Sequence, residues 1–442
     1  MRTLNFLTLS SSLFLLLYSV GGVAQKIISG PIQGLTSDTS AVFWVLTKNT
    51  SSFNVSETFS SPSYNIVIKE DTMCSKHLKN KKAFKYTLYF PSFKSSNGLE
   101  GKHPINNYSV FLNGIKYNDY SITHSSEKDS LFMFGSCAYV GKGFSRVYRP
   151  WNMTKIFKTM SREKTKNMLW MGDNVYLILN HDLKNTKSIY KRYVGVRKQK
   201  NMNKLLSSNK QHYSTWDDHD FGPNNTDGSY EKAGLTTAAF NNFWVNPINE
   251  SKKGIYFCFR KGDVSFFMTD SRTFKVNGGS SLLGEEQLKW LKKELLKSKA
   301  TLKVIILSNQ LINSVEGHES YYDFEAERSE LINFINTKKI PGVVFFSGDR
   351  HHSEINVELD QNYYPIYDIT CSALSSPRPK FRGWGAEGNI PTRLEGSFIT
   401  KHNYGLLTLK KSAAGKSMVV RFMNKKGVPL YEHEIPITKL GY

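Results

Sequence analysis

The chain is 442 residues long, which is enough for a large core and more than one domain. Its four cysteines are too few and too scattered for a disulfide scaffold and lack Cys-x-x-Cys zinc spacing, although one disulfide stays open. The formal net charge of +22 attracts anions such as phosphorylated solutes, nucleic acid and acidic lipid, but no nucleic-acid motif accompanies it, and a lysine-rich solvated surface is the simpler interpretation.

Residues 1–24 have the pattern of a cleaved secretory signal peptide. Arg2 precedes an apolar stretch from Leu13 to Val20 that is too short to span a bilayer and ends in small residues up to Ala24. A retained membrane anchor is the alternative. Since no later segment reaches the length of a membrane helix, we expect a mature protein without a transmembrane segment, exported to the periplasm or the extracellular space through a Sec-type signal.

The region 26–128 has the pattern of a small all-β sandwich domain. Short β-prone runs alternate with Ser, Asn, Gly and Pro, and Asn113-Gly114 between two such runs predicts a hairpin turn. Strands at this spacing favour a sandwich. A polar stretch from His124 to Ser130 closes the region.

The region 129–442 alternates strands with helical periods, which predicts a layered α/β domain. Glu285 to Lys297 carries leucines at helical spacing and leads into the buried strand Val304 to Leu307. After Tyr404 the chain returns to strands, which are joined near Gly415.

Four strand-like runs end in groups suited to a metal. Ligands of open α/β sheets gather outside the carboxyl ends of the strands, so these four segments are expected to converge on one site. The four endings are Gly135-Ser136-Cys137, Gly172-Asp173-Asn174-Val175-Tyr176, Asp217-Asp218-His219-Asp220 and Gly348-Asp349-Arg350-His351.

Each ending also has a structural interpretation. A strand-ending Gly-Asp is often a turn with a capping carboxylate, and Cys137 alone resembles a buried thiol. The segment from Trp216 to Asp220 is more specific, because its three carboxylates around one imidazole repel one another unless a cation or solvent intervenes.

The ordered set of motifs resembles the PhoD-like (alkaline phosphatase D) family of metallophosphoesterases, over nearly the whole mature chain. The resemblance implies a metallophosphoesterase-type β-sandwich core flanked by helices, preceded by a small all-β domain. The motifs that carry it are the four strand endings, the continuation Phe221-Gly222-Pro223-Asn224, Asp270-Ser271-Arg272, Leu283 to Leu291, and Ala41 to Trp44 in the β-rich region.

What the resemblance implies for the site is a centre of two or more metal ions, ferric iron and calcium. Cys137 and Tyr176 would bind iron, and Asp173 would bridge to calcium. The remaining ligands would be Asp349, His351 and one carboxylate of the Asp217–Asp218 pair, with Asp218 favoured because it directly precedes the histidine. Asn224 is a further candidate on the calcium side.

The expected reaction is hydrolysis of a phosphate ester by metal-activated water. His219 is the candidate for stabilising or protonating the leaving oxygen. Arg272 would clamp the phosphate with its fork of donors, with a structural ion pair as the alternative.

One feature departs from the family. Many members carry a twin-arginine signal and are exported already folded, whereas here only Arg2 precedes the apolar run. Export in the unfolded state would mean that metals are acquired outside the cytoplasm, so zinc in place of iron stays open.

The substrate is a phosphate ester of a small molecule, a lipid or a polymer, and the sequence leaves monoester and diester cleavage open. The basic, irregular segment Ser375 to Ser397, with Arg378, Arg382 and Trp384, either walls the pocket or is a surface loop. Two alternatives to an alkaline phosphatase remain: a phospholipase D-type phosphodiesterase on the same site, and a non-catalytic anion-binding surface protein.

Overall fold

A computed structural model of the chain describes residues 24–37, 39–57, 66–90, 92–94, 100–102, 106–124, 130–140, 153–177, 183–247, 253–279, 281–315, 319–360, 363–376, 390–413 and 415–442. The predicted signal peptide, residues 1–24, lies outside this part of the chain except for Ala24. None of the described helices is long and apolar enough to cross a bilayer.

Strands dominate the described part of the chain. In chain order they are β1 (Lys26–Thr36), β2 (Ser40–Lys48), β3 (Phe53–Glu57), β4 (Ile66–Asp71), β5 (Lys81–Tyr89), β6 (Ser92–Lys94), β7 (Glu100–Lys102), β8 (Asn107–Leu112), β9 (Ile115–Ser121), β10 (Leu131–Gly135), β11 (Asn167–Met171), β12 (Gln211–Thr215), β13 (Phe257–Lys261), β14 (Val264–Met268), β15 (Leu302–Ile306), β16 (Val343–Ser347), β17 (Ser353–Asp360), β18 (Tyr363–Cys371), β19 (Asn403–Ser412), β20 (Gly415–Asn424) and β21 (Pro429–Pro436).

Helices are fewer and shorter. They are α1 (Thr72–His77), α2 (Lys155–Met160), α3 (Thr186–Lys198), α4 (Lys200–Leu206), α5 (Asp218–Phe221), α6 (Ala233–Phe243), α7 (Gly284–Lys297) and α8 (Glu325–Thr337), with 3-10 turns at Tyr321–Phe324 and Ile437–Leu440.

Two large sheets form the framework. The first has ten strands in the order β21-β20-β19-β10-β11-β12-β1-β2-β5-β4, and the second has six in the order β13-β14-β15-β16-β18-β17. Strands β10, β11 and β12 are parallel, as are β14, β15, β16 and β18. Their inner faces share one apolar core, in which the ring of Phe134 of the first sheet packs at a tilt of 55° against Phe346 of the second, with ring centroids 4.6 Å apart. The predicted layered α/β fold is therefore confirmed.

Helices cover the outer faces of both sheets. Buried side chains of α2, α3, α4 and α6 pack in a second apolar cluster with the outer face of the ten-stranded sheet. Leu288, Leu291 and Leu295 of α7 belong to the same apolar cluster as the residues of the six-stranded sheet, at the helical spacing that the sequence predicted.

The β-rich N-terminal region forms a small sandwich. Phe43 and Tyr86, from the end of the ten-stranded sheet, pack against Tyr108 from the three-stranded sheet β3-β8-β9, in a core of their own. The predicted hairpin is confirmed, since Asn113 and Gly114, both with positive φ, join β8 to β9. Strand β1 pairs in parallel with β12, so the ten-stranded sheet continues through the N-terminal region, and a domain boundary near residue 128 stays a prediction.

Candidate metal centre

The four strand endings meet where the two sheets approach each other. Strands β10, β11 and β12 deliver Cys137, Asp173 and the Asp217–Asp218 pair, and β16 of the other sheet delivers Asp349. The two sheets approach so closely here that a Cβ atom on Gly348 would lie only 2.7 Å from the carbonyl oxygen of Met171. This approach explains the glycine that precedes the aspartate.

Four residues at these endings adopt left-handed backbone conformations that favour glycine. The φ angles are 57° at Cys137, 53° at Asp173, 65° at Asp349 and 57° at His351. Such conformations are uncommon for residues other than glycine, and they cluster at functional sites. Each tight turn directs its side chain into the space between the sheets instead of continuing the strand.

The first group of possible ligands combines Cys137, Asp173 and His351, whose ligand atoms lie within 4.8 Å of one another. The Cys137 Sγ is 3.7 Å from Oδ2 of Asp173. The Tyr176 hydroxyl lies 3.3 Å from Nε2 of His351. A thiol, a phenol, a carboxyl and an imidazole thus converge on one small volume.

The second group combines Asp173, Asp218 and His219, again within 4.8 Å. The backbone N–H of His219 donates to Oδ1 of both aspartates, at 3.3 Å to Asp173 and 2.8 Å to Asp218. Asp173 therefore faces the first group with one oxygen and the second with the other. The ring of His219 packs against Tyr176 at 4.7 Å, and its Nδ1 is buried without a hydrogen-bond partner among the described residues.

The third group combines Asp217, Asp218 and Asp349. Oδ1 of Asp217 accepts a hydrogen bond of 2.7 Å from Nε of Arg272, whereas Oδ2 is buried and has no partner in the described part of the chain. Asp218 accepts bonds from the backbone N–H groups of His219 and Asn225. Both carboxylates of the pair thus reach the centre.

The acidic groups of this centre can all be ionised together only when a cation lies between them. Burial raises the pKa of Asp173 well above its usual range, and the carboxylates of Asp218 and Asp217 raise it further. Burial, Asp217 and Asp218 likewise raise the pKa of Asp349 to about 7. Burial and neighbouring acids also raise the pKa of Cys137 and of Tyr176. So many buried acids in contact cannot all ionise without positive charge between them.

Asp218 differs from its neighbours. Burial would raise its pKa, but the imidazole of His219, the charge of Arg272 and two backbone N–H groups outweigh that effect and lower the pKa to about 2. This carboxylate is therefore ionised across the physiological range.

Arg272 is fully buried, and its guanidinium is already occupied. It pairs with Asp217 and donates 2.8 Å to Oε2 of Glu319 and 3.2 Å to the carbonyl oxygen of Thr226. These contacts match the alternative of a structural ion pair. The donors of Arg272 face protein acceptors, and its role as a phosphate clamp stays a prediction.

Three polar residues of the motifs turn away from the centre. Asp220 accepts hydrogen bonds from the backbone N–H groups of Asn174, Val175 and Asp217. His352 lies against Glu354, with Nε2 and Oε1 3.2 Å apart. The Asn224 side chain is exposed and bonds to Asn225, so it joins none of the three groups.

Several supporting residues lie in motifs to which the sequence analysis assigned no structural role. Asp270 accepts from the Trp216 indole at 2.7 Å and from the backbone N–H of Arg272 at 3.0 Å. Gln287 of α7 bonds to both the backbone N–H and the carbonyl of Asp270. Asp270 and Gln287 thus hold the segments that carry Asp217 and Arg272. This is a structural role for the Asp-Ser-Arg motif and for the motif in α7.

The four cysteines are free thiols; three are buried and Cys258 is half-buried. A disulfide, which the sequence left open, is not formed between them. Arg378, Arg382 and Trp384, the candidates for reading the substrate, lie outside the described residues.

Comparison with known proteins points to one family. The family model of PhoD-like phosphatase matches residues 132–382, which is more than half of the chain and confirms the predicted resemblance. The solved structure of PhoD superposes with a TM-score of 0.60 at 16% identity, covering 91% of each chain. The purple acid phosphatase PPD1 from yellow lupin (Lupinus luteus) seeds superposes with a TM-score of 0.59 at 11% identity, covering 92% of this chain and 74% of that one. A search of curated protein sequences gives no match.

Proposed function

The chain belongs to the PhoD-like phosphatase family, and from that premise we propose that it is an exported, metal-dependent phosphoesterase acting on phosphate monoesters, diesters or both. The observation that carries the proposal is the set of three interlocked ligand groups, in which Asp173 and Asp218 are each shared by two. A purely structural core has no use for this arrangement, since it buries several acids against one another.

The residues present fit two adjacent metal ions of different character. Cys137, Tyr176, Asp173 and His351 would hold ferric iron, because thiolate and phenolate donors add the negative charge that a trivalent ion prefers. The oxygen-only group of Asp217, Asp218 and Asp349 would hold calcium. The position of Asp173 in two groups supports a bridging role, and the buried, unpartnered Oδ2 of Asp217 supports a ligand role for that carboxylate as well.

Bound metal ions would neutralise the oxyanions of the ester and make water acidic enough to attack at moderate pH. The chain itself prepares the site for this chemistry. Arg272 fixes the orientation of Asp217, and the backbone N–H of His219 fixes Asp173 and Asp218. Nε2 of His219, opposite the buried Nδ1, would carry the proton that the leaving oxygen needs.

A direct test compares a chromogenic phosphate monoester with its bis-ester, using mature protein supplied with iron and calcium and a chelated control. Chelator-sensitive hydrolysis of either ester supports the proposal. Faster monoester cleavage favours a phosphatase, and faster bis-ester cleavage favours the phospholipase D-type alternative. No chelator-sensitive turnover by protein shown to hold metal would contradict the proposal.

The basic surface is the feature that favours a non-catalytic anion-binding protein. Asp349→Asn separates the two classes, because a charge-driven binder keeps its affinity for anions whereas an enzyme loses turnover. Export is tested by N-terminal sequencing of the secreted protein, for which we expect Gln25 as the first residue. A mature chain that retains residues 1–24 would contradict the signal-peptide prediction.

The role of the segment Ser375 to Ser397 stays part of this proposal. If Arg378, Arg382 and Trp384 read the alcohol part of the ester, replacing them should change relative rates across esters and leave the metal content unchanged. Unchanged relative rates would make the segment a surface loop.

A further inference from the structure

One layer of helices carries an unusual charge. Helices α2, α3 and α4 lie side by side, with α4 in contact with both of the others. Their buried residues, such as Phe157, Tyr193 and Leu205, pack in the cluster on the outer face of the ten-stranded sheet. Their other faces are exposed, and together they form one side of the molecule.

This layer is entirely basic. None of the three helices contains Asp or Glu. On α3 the exposed lysines recur on one side of the helix at spacings of three, four and seven residues, with Gly195 completing the stripe. The exposed lysines of the layer are Lys155, Lys158, Lys184, Lys187, Lys191, Lys198, Lys200 and Lys204, where Lys184 lies just before α3.

The other helix layer does not share this charge. Helix α7 contains Glu285, Glu286 and Glu294 among its lysines, and α8 contains three glutamates and one arginine. The basic layer is therefore not a uniform consequence of the net charge of +22. Of the two helix layers, the one formed by α2, α3 and α4 carries the unbalanced positive charge.

Within the part of the chain that the structure describes, none of the eight lysines of the layer has an ion pair. Three further lysines, Lys26, Lys48 and Lys81, lie opposite one another on the neighbouring strands β1, β2 and β5. Strand β1 is in contact with α4. Like charges placed directly opposite each other destabilise a sheet. These lysines thus oppose folding, and an anionic partner would relieve their repulsion.

We propose that the layer of α2, α3 and α4 is a docking face for an acidic phospholipid bilayer. Helices packed side by side on a sheet make a broad face instead of a groove, which suits a planar array of charges. Lysine is a point charge without directional preference, as diffuse attraction to lipid headgroups needs. Among the described residues, no large hydrophobic side chain is exposed on these helices, so the face offers no stacking platform for single-stranded nucleic acid.

The docking face is separate from the metal centre but connected to it. Nε of Arg192 in α3 donates 2.9 Å to the carbonyl oxygen of Tyr176. The inference goes beyond the phosphoesterase activity, and its test needs neither metal nor substrate.

The experiment is co-sedimentation of the mature protein with vesicles of phosphatidylcholine containing about one third phosphatidylserine, at about 50 mM salt. The test variant is Lys187→Gln/Lys191→Gln/Lys198→Gln on α3. The matched control is Lys289→Gln/Lys293→Gln/Lys299→Gln, on and just after α7, which removes the same charge from exposed lysines elsewhere. Thermal unfolding confirms that both variants are folded.

We expect the wild-type protein to bind acidic vesicles and to dissociate from them at about 500 mM salt. Each lysine near an acidic surface contributes about a fivefold factor in partitioning, so the α3 variant should bind on the order of 100-fold more weakly. The α7 control should bind nearly as well as the wild-type protein.

Any of the following results would overturn the inference. The wild-type protein could fail to bind the acidic vesicles, or bind pure phosphatidylcholine vesicles equally well. The two variants could lose the same affinity, which would mean that total charge alone drives adsorption. Retention on heparin that depends on the α3 lysines, without vesicle binding, would mark the face as a site for an anionic polymer.

Discussion

Replacing Asp349 by Asn should stabilise the metal-free protein at alkaline pH while abolishing its turnover. Burial and the carboxylates of Asp217 and Asp218 raise the pKa of Asp349 to about 7, against an ordinary value of 3.8. The folded state therefore holds a proton that the unfolded chain has released. The stability that this proton contributes is fully present below about pH 4 and is lost as the pH rises through 7.

The size of the effect follows from the two pKa values. Each full pH unit between them is worth about 1.36 kcal/mol, so the wild-type protein should lose about 2 kcal/mol between pH 5 and pH 7 through this group alone. Asn carries no charge at any of these pH values. The stability advantage of Asp349→Asn over the wild-type protein should therefore grow by about 3 kcal/mol between pH 5 and pH 8.

Guanidinium unfolding in the presence of a chelator, at both pH values, measures this difference. Asp263→Asn is the matched control, because Asp263 accepts hydrogen bonds from Lys416 and Thr301, and its pKa is lowered to about 2. It is ionised at both pH values, so its replacement should cost the same stability at each. An Asp349→Asn advantage that does not change with pH, or a loss at both values, would refute the reasoning. Added metal should reverse the order, since it binds the folded wild-type protein.

Three further outcomes are expected. Tyr176→Phe should abolish a visible tyrosinate-to-iron absorption band. Tyr139→Phe is the control and should retain the band, since the Tyr139 ring only packs edge-on against Tyr176 at 5.1 Å. A colourless, iron-free, fully active enzyme would contradict the iron assignment. His219→Ala should slow hydrolysis of alkyl phosphates by about 100-fold and of nitrophenyl esters far less, because only poor leaving groups need the proton; equal losses would remove that role. Glu319→Gln should weaken metal retention about tenfold through Arg272, as metal analysis after graded chelation would show, whereas unchanged retention would make Glu319 a surface support only.

The sequence predicts those parts of this fold that local patterns determine. Asn113-Gly114 specifies a tight turn because both positions accept positive φ, and the leucines of α7 specify which face of that helix is buried. The strand endings are equally local, since an apolar run that stops at Gly-Asp marks both a strand and its edge. The convergence of the three endings on β10, β11 and β12 then follows from the geometry of a parallel sheet, whereas Asp349 joins them from the second sheet.

Long-range pairing leaves no comparable signal. The ten-stranded sheet continues into the N-terminal region because Gln33 of β1 pairs with Gln211 of β12, two segments far apart in the chain. Neither segment contains a pattern that identifies the other as its partner. The sequence therefore predicts the N-terminal sandwich but not the continuity of one of its sheets with the main sheet. Glu319 also lacks a signal in the sequence, because its contribution is an ion pair with Arg272, which is far from it along the chain.

The different roles of Asp217, Asp218 and Asp220 show a second limit of prediction from the sequence. The sequence treats them as one mutually repelling set, yet Asp220 is satisfied by three backbone N–H groups, and only Asp217 and Asp218 face the centre. The direction of each side chain depends on the turn that begins α5, in which Asp217 is the N-cap residue and Asp220 lies in the first turn. Composition identifies the need for a cation but not the ligands.

Backbone strain and charge repulsion coincide at this centre, and that coincidence is the strongest physical argument for function. Cys137, Asp173 and Asp349 adopt positive φ where glycine would be unstrained, and burial raises the pKa of all three side chains. Folding alone would favour glycine or a neutral residue at each position. These residues lower the stability of the metal-free fold at the positions where their ligand atoms meet. Such a cost is expected of a site that binds cations.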